Sequence, residues 1–587
     1  MRKLTLAYAF LSLILFVACN TTHQKDKLHQ LMKDYNEESL KIYPLNATFQ
    51  GDTRYNDYLP NFLSNTFIEK EKEFYNRYRD ALLKIDNKAL DEEDILSKKV
   101  LLWECDINLK RLEYPVHLLP INQMWTLQLT MGQLAGGTSA QPFKSVADYQ
   151  NWLLRVDDYL IWLASAEERM REGIEKGVVL PKSLIKKVVP QLYGMAFSEV
   201  EDHLFYSPIK NLPTDFLEDD KQSLRLAYQK MISEKVKPAY EKLHDFMAGD
   251  YMTSGRESSG FDAYDFGESY YDYAIKLYTT TSMNADEIHR LGISEVARLR
   301  SEMEKVKKQV GFEGDLNSFF DHVRTLPKLR PFTDPQQVIN NFNAIHEKMK
   351  DQVDRLFSLQ PKTAFEVRRT EAFREASASA QYNPGSLDGS RPGIFYVPIP
   401  DVSQYNIFSD EDLFLHEAIP GHHFQISLQQ ENTNLPDFRK TLWYSAYGEG
   451  WALYCESLGE ELGLYDDPYQ YFGMLSAEMH RAIRLVVDTG LHTKGWTREQ
   501  AIQYSLENEA EPEASIISEI ERYMANPGQA LSYKIGQLKI QSLRAQATEV
   551  MGEAFDIREF HRLVLESGCI PLALLEEKIE NWIQSKT

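Results

Sequence analysis

From Leu413 to Gln425 the chain reads Leu-Phe-Leu-His-Glu-Ala-Ile-Pro-Gly-His-His-Phe-Gln, so three histidines and a glutamate fall within residues 416–423. Imidazole nitrogens and carboxylate oxygens are donors that Zn2+ accepts, and a glutamate beside a ligating histidine is suited to act as general base on metal-bound water. In the plain form of this pattern the two histidines lie four residues apart on one helical face, but here that position is Pro420. On an unbroken helix His423 would sit about 10.5 Å beyond His416 along the axis. Bonds of about 2.1 Å to one ion cannot bridge that offset. His422 would lie nearer along the axis but be turned roughly 120° away. A shared ion therefore requires a distorted helix between the histidines. Pro420 forces one, because it lacks an N–H and its ring clashes with the carbonyl of His416. Gly421 tolerates the unusual backbone that results, and a π-type bulge is the expected form. The residues by themselves leave open whether His422 or His423 completes the pair.

The stretch His-Glu-x-x-Pro-Gly-His-His, followed by Tyr447-Gly448-Glu449-Gly450-Trp451-Ala452-Leu453-Tyr454, resembles family 885 of the domains of unknown function (DUF885). These are bacterial, often lipid-anchored proteins placed with the zincin-like peptidases, and the resemblance covers most of the mature chain. Around the motif the chain is more distantly similar to angiotensin-converting enzyme, carboxypeptidase Taq and the thimet oligopeptidases. The resemblance implies a mainly helical, two-lobed zincin-like fold with a deep channel, a Zn2+ cofactor and a peptide substrate. The second zinc histidine of those peptidases follows a glycine. Gly421-His422 matches, which makes His422 the implied ligand beside His416 and places His423 behind the ligands or facing substrate. A downstream helix supplies their third ligand, implying Glu449, 27 residues after His422 (449 − 422). Glu456, two turns further along the same face, is placed to hold a histidine by its other nitrogen. Glu417 is then the base that takes a proton from the metal-bound water and passes it to the leaving amine. An oxyanion donor is also needed. Tyr533 resembles the tyrosine that serves in the angiotensin-converting enzyme group, and His492 is the other candidate. Arg391 and Tyr396 are candidates for binding a substrate carboxylate or backbone.

The elements that must position these residues are mostly helices. Glu69–Ile85, Asp148–Glu172 and Asp219–Met247 show helical period, and Asn284 with Glu287 forms the pattern of a capping box. Turn-rich residues 383–391 separate two short strand patterns, Ala376–Tyr382 and Gly393–Ile399. Pro398 and Pro400 predict that the second of these is an edge strand, since proline cannot donate to a ladder. An edge just upstream of the motif is where a peptide can add as an extra strand. The predicted fold is mainly α, with one small sheet beside the active-site helix. It divides into an N-terminal helical lobe of about 28–370 and a catalytic lobe of about 371–587.

Arg2 and Lys3 precede an apolar run, Leu4–Val17, which ends at Ala18-Cys19. That is the form of an export signal and is too short to span a bilayer. The Phe16-Val17-Ala18-Cys19 ending resembles a bacterial lipobox. It predicts a signal peptide over 1–18, lipidation at Cys19 and a polar tether over 19–27, giving a lipoprotein held in the cell envelope. Cys105, Cys455 and Cys569 are too irregularly spaced for a disulfide framework. With 43% hydrophobic residues the chain can bury a large core, and a net charge of −22 speaks against a nucleic-acid partner. The function expected from these features is zinc-dependent hydrolysis of short peptides. The alternatives are a metallohydrolase of the same fold acting on a non-peptide amide or ester, and a non-catalytic envelope binding lipoprotein. Paired Glu-x-x-His motifs of a helical di-iron site are absent from the sequence.

Overall fold

The computed structural model describes residues 23–137, 139–371, 375, 378–386 and 391–586. Cys19 and the signal segment lie outside them. The chain forms two compact units: one runs to Ser259 and includes Ala263–Phe266, and the other comprises Gly260–Asp262 and the chain from Gly267. The division falls at 259–267, about a hundred residues before the expected lobe boundary near 370.

The first unit is helical. Its α1 spans residues 23–42, so residues 23–27, predicted to be tether, are already in a helix. Lys25 pairs with Asp91 and Asp94, which joins α1 to α3 (Glu92–Arg111) beside α2 (Asn65–Leu83). In α4 (Val146–Lys176), Tyr149, Trp152, Val156, Tyr159, Leu163, Ala166 and Met170 recur at three- and four-residue spacing and are all buried. That is the apolar stripe of a helix that packs one face on a core. Ser145 and Asp148 close its first turn as a capping box. The predicted single helix Asp219–Met247 is instead interrupted by π turns at Ile232–Val236 and Met247–Tyr251.

The second unit carries every motif residue. Its helices include α5 (Ala285–Gln309), capped by Asn284 and Glu287 as expected, and α6 (Pro335–Leu356). A three-stranded sheet follows, with β1 (Phe365–Arg369), β2 (Gln381–Asn383) and β3 (Gly393–Val397) in the order β1-β3-β2. β3 runs parallel to β1 and antiparallel to β2, with Tyr382 opposite Phe395. The edge assignment for Gly393–Ile399 is therefore wrong. β3 is the central strand and ends at Val397, so Pro398 and Pro400 lie beyond its ladder and do not interrupt it. The edges are β1 and β2.

Beyond the sheet come α7 (Asp410–Glu417), α8 (His422–Glu431), α9 (Ser445–Glu456), α10 (Pro468–Thr493) and α11 (Ser532–Met551). α5 packs on α10 at Gly292, where a Cβ would come within 2.7 Å of Leu485 Cβ. Tyr271, Ile275, Ile288, Leu485, Leu531 and Ile535 form a buried apolar cluster there.

Against that cluster Asp488 is fully buried and accepts hydrogen bonds from the Tyr271 hydroxyl at 2.5 Å and the Gly528 N–H at 3.0 Å. Burial pushes its carboxyl up from 3.8 to about 7, outweighing those two hydrogen bonds. A folded-state pKa above the unfolded value means that the native chain holds this proton more tightly. The contribution to stability is complete below about pH 4 and is lost as pH rises to about 7. An Asp488→Asn variant keeps an acceptor and loses the titration. Melting temperatures of the two proteins between pH 4 and 8 should diverge progressively, the wild type losing ground as pH rises; parallel curves would contradict this account.

Candidate metal centre

α7 ends at Glu417 and α8 begins at His422, so the helix is fully broken rather than bulged. The four residues between make a tight turn, with Ala418 at φ −108°, ψ −103° and Gly421 at φ −73°, ψ −128°. A Cβ at Gly421 would collide with the carbonyl oxygens of Leu415 and His416, so only glycine fits this return. The Trp451 indole N–H donates to the Pro420 carbonyl at 2.8 Å and pins the turn to α9.

The break carries His422 back beside His416, their ring centroids 4.7 Å apart and nearly perpendicular. Glu449, in the second turn of α9, reaches both: its Oε2 lies 3.6 Å from His416 Nε2 and 3.5 Å from His422 Nε2. Ligand atoms of all three residues lie within 4.8 Å of one another, and this is the potential metal-holding group found among the described residues. Separations of 3.5–3.6 Å are long for hydrogen bonds. They are close to the roughly 3.4 Å that separates two ligands each about 2.1 Å from a tetrahedral ion. Two buried imidazoles and one half-buried carboxylate fit a Zn2+ site with a position left open.

The surroundings orient this set. His416 Nδ1 lies 2.6 Å from Glu456 Oε1, which turns Nε2 toward Glu449. Asp412, one turn before His416, is buried and interacts with Glu456; burial first, then the Glu456 charge, raises its carboxyl well above the usual range. Burial also raises Glu417, opposed by His416 and His422 and by a hydrogen bond from the Tyr382 backbone N–H. The glutamate predicted as base thus faces both histidines and an amide of β2. Glu449 is held well below the carboxylate range, its burial outweighed by His416 and His422.

His423 points elsewhere. Its Nδ1 lies 3.0 Å from the Tyr382 hydroxyl, its ring packs beside Phe365, and burial lowers its pKa to about 4. It braces α8 against the sheet as a neutral ring, and His422 is the histidine in the cluster. His492 must be withdrawn as an oxyanion donor. It is fully buried, its Nδ1 accepts the Phe261 N–H at 3.1 Å, and its Nε2 lies 3.1 Å from the Tyr523 carbonyl. Both nitrogens are engaged with backbone, so no N–H remains to donate.

Tyr533 stays in play. It is half-buried in the first turn of α11, its ring lies 4.5 Å from the Arg484 guanidinium carbon, and its hydroxyl makes no hydrogen bond among the described residues. α11 runs beside α9, with Ser532 Oγ 2.8 Å from Ser445 Oγ and Gly450 pressed on Gly536. Arg391 is exposed, and its backbone N–H bonds Ser386. Tyr396 is half-buried in β3 opposite Arg368 and Gln381. The structure does not bring either into the His–His–Glu cluster. Three residues that do shape the site were passed over: Tyr382, Asp412 and Trp443. Of these only Asp412 left a sequence signal, its four-residue spacing from His416.

A family model described as bacterial protein of unknown function (DUF885) matches residues 44–579. No curated protein matches the chain. Among solved structures, a candidate lipoprotein from Colwellia psychrerythraea is 27% identical, with a TM-score of 0.87 over 96% of this chain and 100% of that one. A candidate lipoprotein of unknown function from Shewanella oneidensis is 18% identical, with a TM-score of 0.74 over 94% of this chain and 99% of that one. The second likeness is one of fold.

Calorimetric titration of chelator-stripped protein with divalent cations checks the ligand set. His422→Ala should abolish stoichiometric binding and His423→Ala should retain it. Glu456→Ala should weaken it about 10–100-fold, as expected when a group orienting a ligand is removed. Loss of binding in His423→Ala alone would reassign the site.

Proposed function

The chain belongs to the bacterial family DUF885, and we propose that it is a zincin-like, zinc-dependent metallopeptidase that hydrolyses short peptides in the cell envelope. The observation carrying this reading is the position of Glu417: a buried carboxylate facing both histidines of a three-donor cluster, next to a backbone amide of an edge strand. A protein that only bound a metal for shape would gain nothing from an acid–base group there.

Zinc held by His416, His422 and Glu449 would supply a Lewis acid and lower the pKa of water in the open position. Glu417 would take a proton from a water attacking the peptide carbonyl and deliver it to the leaving amine. Glu456 holds His416 by Nδ1 and leaves Nε2 turned toward Glu449, the orientation in which it would ligate zinc. Tyr533, whose hydroxyl makes no hydrogen bond among the described residues, is the remaining candidate to donate to the oxyanion. β2 is an edge whose Tyr382 amide reaches Glu417, so a peptide laid along it in extended form would bring its backbone beside the base.

The envelope location rests on two supports. Both structural neighbours are candidate lipoproteins, and the Cys19 lipobox precedes α1 by a few residues. No helix among the described residues is long and apolar enough to cross a membrane.

The test is turnover of a quenched-fluorescent peptide library, with an ester series alongside, by zinc-loaded wild type and two variants. Glu417→Gln should keep one zinc and lose about 10²–10⁴-fold in kcat/KM. Tyr533→Phe should lose about 10²–10³-fold in kcat. Hydrolysis of esters without peptides would replace the substrate class. A zinc-loaded wild type inert toward both would end the enzyme reading, and a Glu417→Gln variant of full activity would remove Glu417 as the base.

A further inference from the structure

Beside the cluster stands a residue that the chemistry above does not use. Trp443 lies in the segment between α8 and α9 and is 43% exposed. Among described residues of the second unit, the other exposed large hydrophobic side chains are Ile293 and Val550. A lone exposed apolar side chain is ordinary. The seat of this one is not.

The indole centroid lies 5.8 Å from that of His422, tilted by 57°. The six-membered ring rests on the backbone of α9 at Gly448, where any Cβ would collide with it. Trp443 therefore lies beside His422, with its ring against Gly448, the residue that precedes Glu449. The chain on either side of it is fixed. The Leu442 carbonyl accepts the Gln429 side-chain N–H at 3.0 Å, and the Tyr444 N–H donates to Cys569 Sγ at 3.1 Å. Leu435, Phe438 and Tyr444 are buried while Trp443 stands out. A rigid two-torsion aromatic side chain, held at its base and left uncovered, is a low-entropy surface for apolar contact.

We infer that Trp443 is the wall of a specificity subsite that receives an aromatic or branched aliphatic side chain of the substrate residue next to the scissile bond. The inference rests on reading the His416–His422–Glu449 cluster as a zinc site. Discrimination by one apolar wall is modest, about tenfold to a few hundredfold between side chains of different size.

Amino-acid hydroxamates test this without requiring turnover, because the hydroxamate chelates zinc whatever the reaction. Full mature chain in detergent, zinc-loaded, is titrated with the L-phenylalanine, L-lysine and glycine hydroxamates. The phenylalanine compound should bind about tenfold tighter than glycine hydroxamate. That ratio should fall to near unity in Trp443→Ala and persist in Trp443→Phe, with zinc content unchanged in all. Gly448→Ala, which displaces the indole without altering it, should lower the ratio too. An undiminished ratio in zinc-replete Trp443→Ala, tighter binding of the lysine compound, or no binding of any hydroxamate each overturns the subsite. Peptide turnover measured in parallel separates the two readings. A normal ratio with no hydrolysis sinks the peptidase and leaves the subsite, whereas hydrolysis with the ratio unchanged in Trp443→Ala does the reverse.

Discussion

The turn at residues 418–421 is the constraint on which the rest of the centre depends. His422 lies six positions after His416, a spacing that no regular helix converts into two neighbouring ligands. Breaking the helix removes the rotational problem. His416 lies in the last turn of one segment, His422 begins the next, and the return is tight enough that a side chain at Gly421 would strike the carbonyls of the preceding turn. The break leaves backbone groups without helical partners, and burial would make such groups costly. Trp451 answers part of that cost at the Pro420 carbonyl.

Trp451 belongs to α9, and α9 is also the source of Glu449 and Glu456. One helix thus clamps the turn, completes the donor set and fixes the tautomer of His416. Its position is set from the other side by α11, through the close passage of Gly450 over Gly536 and the bond between Ser445 and Ser532. The glycines around Glu449 serve different contacts. Gly448 receives the Trp443 ring and Gly450 receives a helix backbone, so the carboxylate projects from a stretch that neighbours approach on two sides.

The electrostatics of the cluster follow from dense burial of opposing groups. Burial disfavours a charged His416, yet Glu449 and Glu456 together raise its pKa well above the ordinary value, while Glu449 is driven down by the two histidines. Buried carboxylates in this number are unfavourable unless positive charge sits among them. A proton on His416 supplies some of it; a divalent cation between the three donors would supply more and would leave His416 neutral. Asp412 stands one turn before His416 and is buried, its carboxyl raised by that burial and then by the Glu456 charge.

Much of this was legible in the sequence, and the omissions have physical causes. Residues near in sequence announced themselves: the capping box at Asn284, the long helices, the broken motif and the candidate donors. The need for a distortion between His416 and His422 followed from helical geometry and the chemistry of Pro420, although its form, a full break, did not. β1 was missed because its apolar alternation is confined to Phe365 and Val367, two half-buried residues on an edge strand whose Glu366, Arg368 and Arg369 are exposed. β3 was placed at an edge on the strength of two prolines that stand just past its last paired residue. What the sequence by itself determined was the kind of donors, the base beside them and the local rule that proline and glycine must break the helix. Which histidine turns inward, that His492 is saturated by backbone, and that Tyr382, Asp412 and Trp443 border the site were decided only by tertiary structure. Those facts depend on contacts between residues tens to hundreds of positions apart, and no local pattern encodes the direction in which a side chain meets a distant partner.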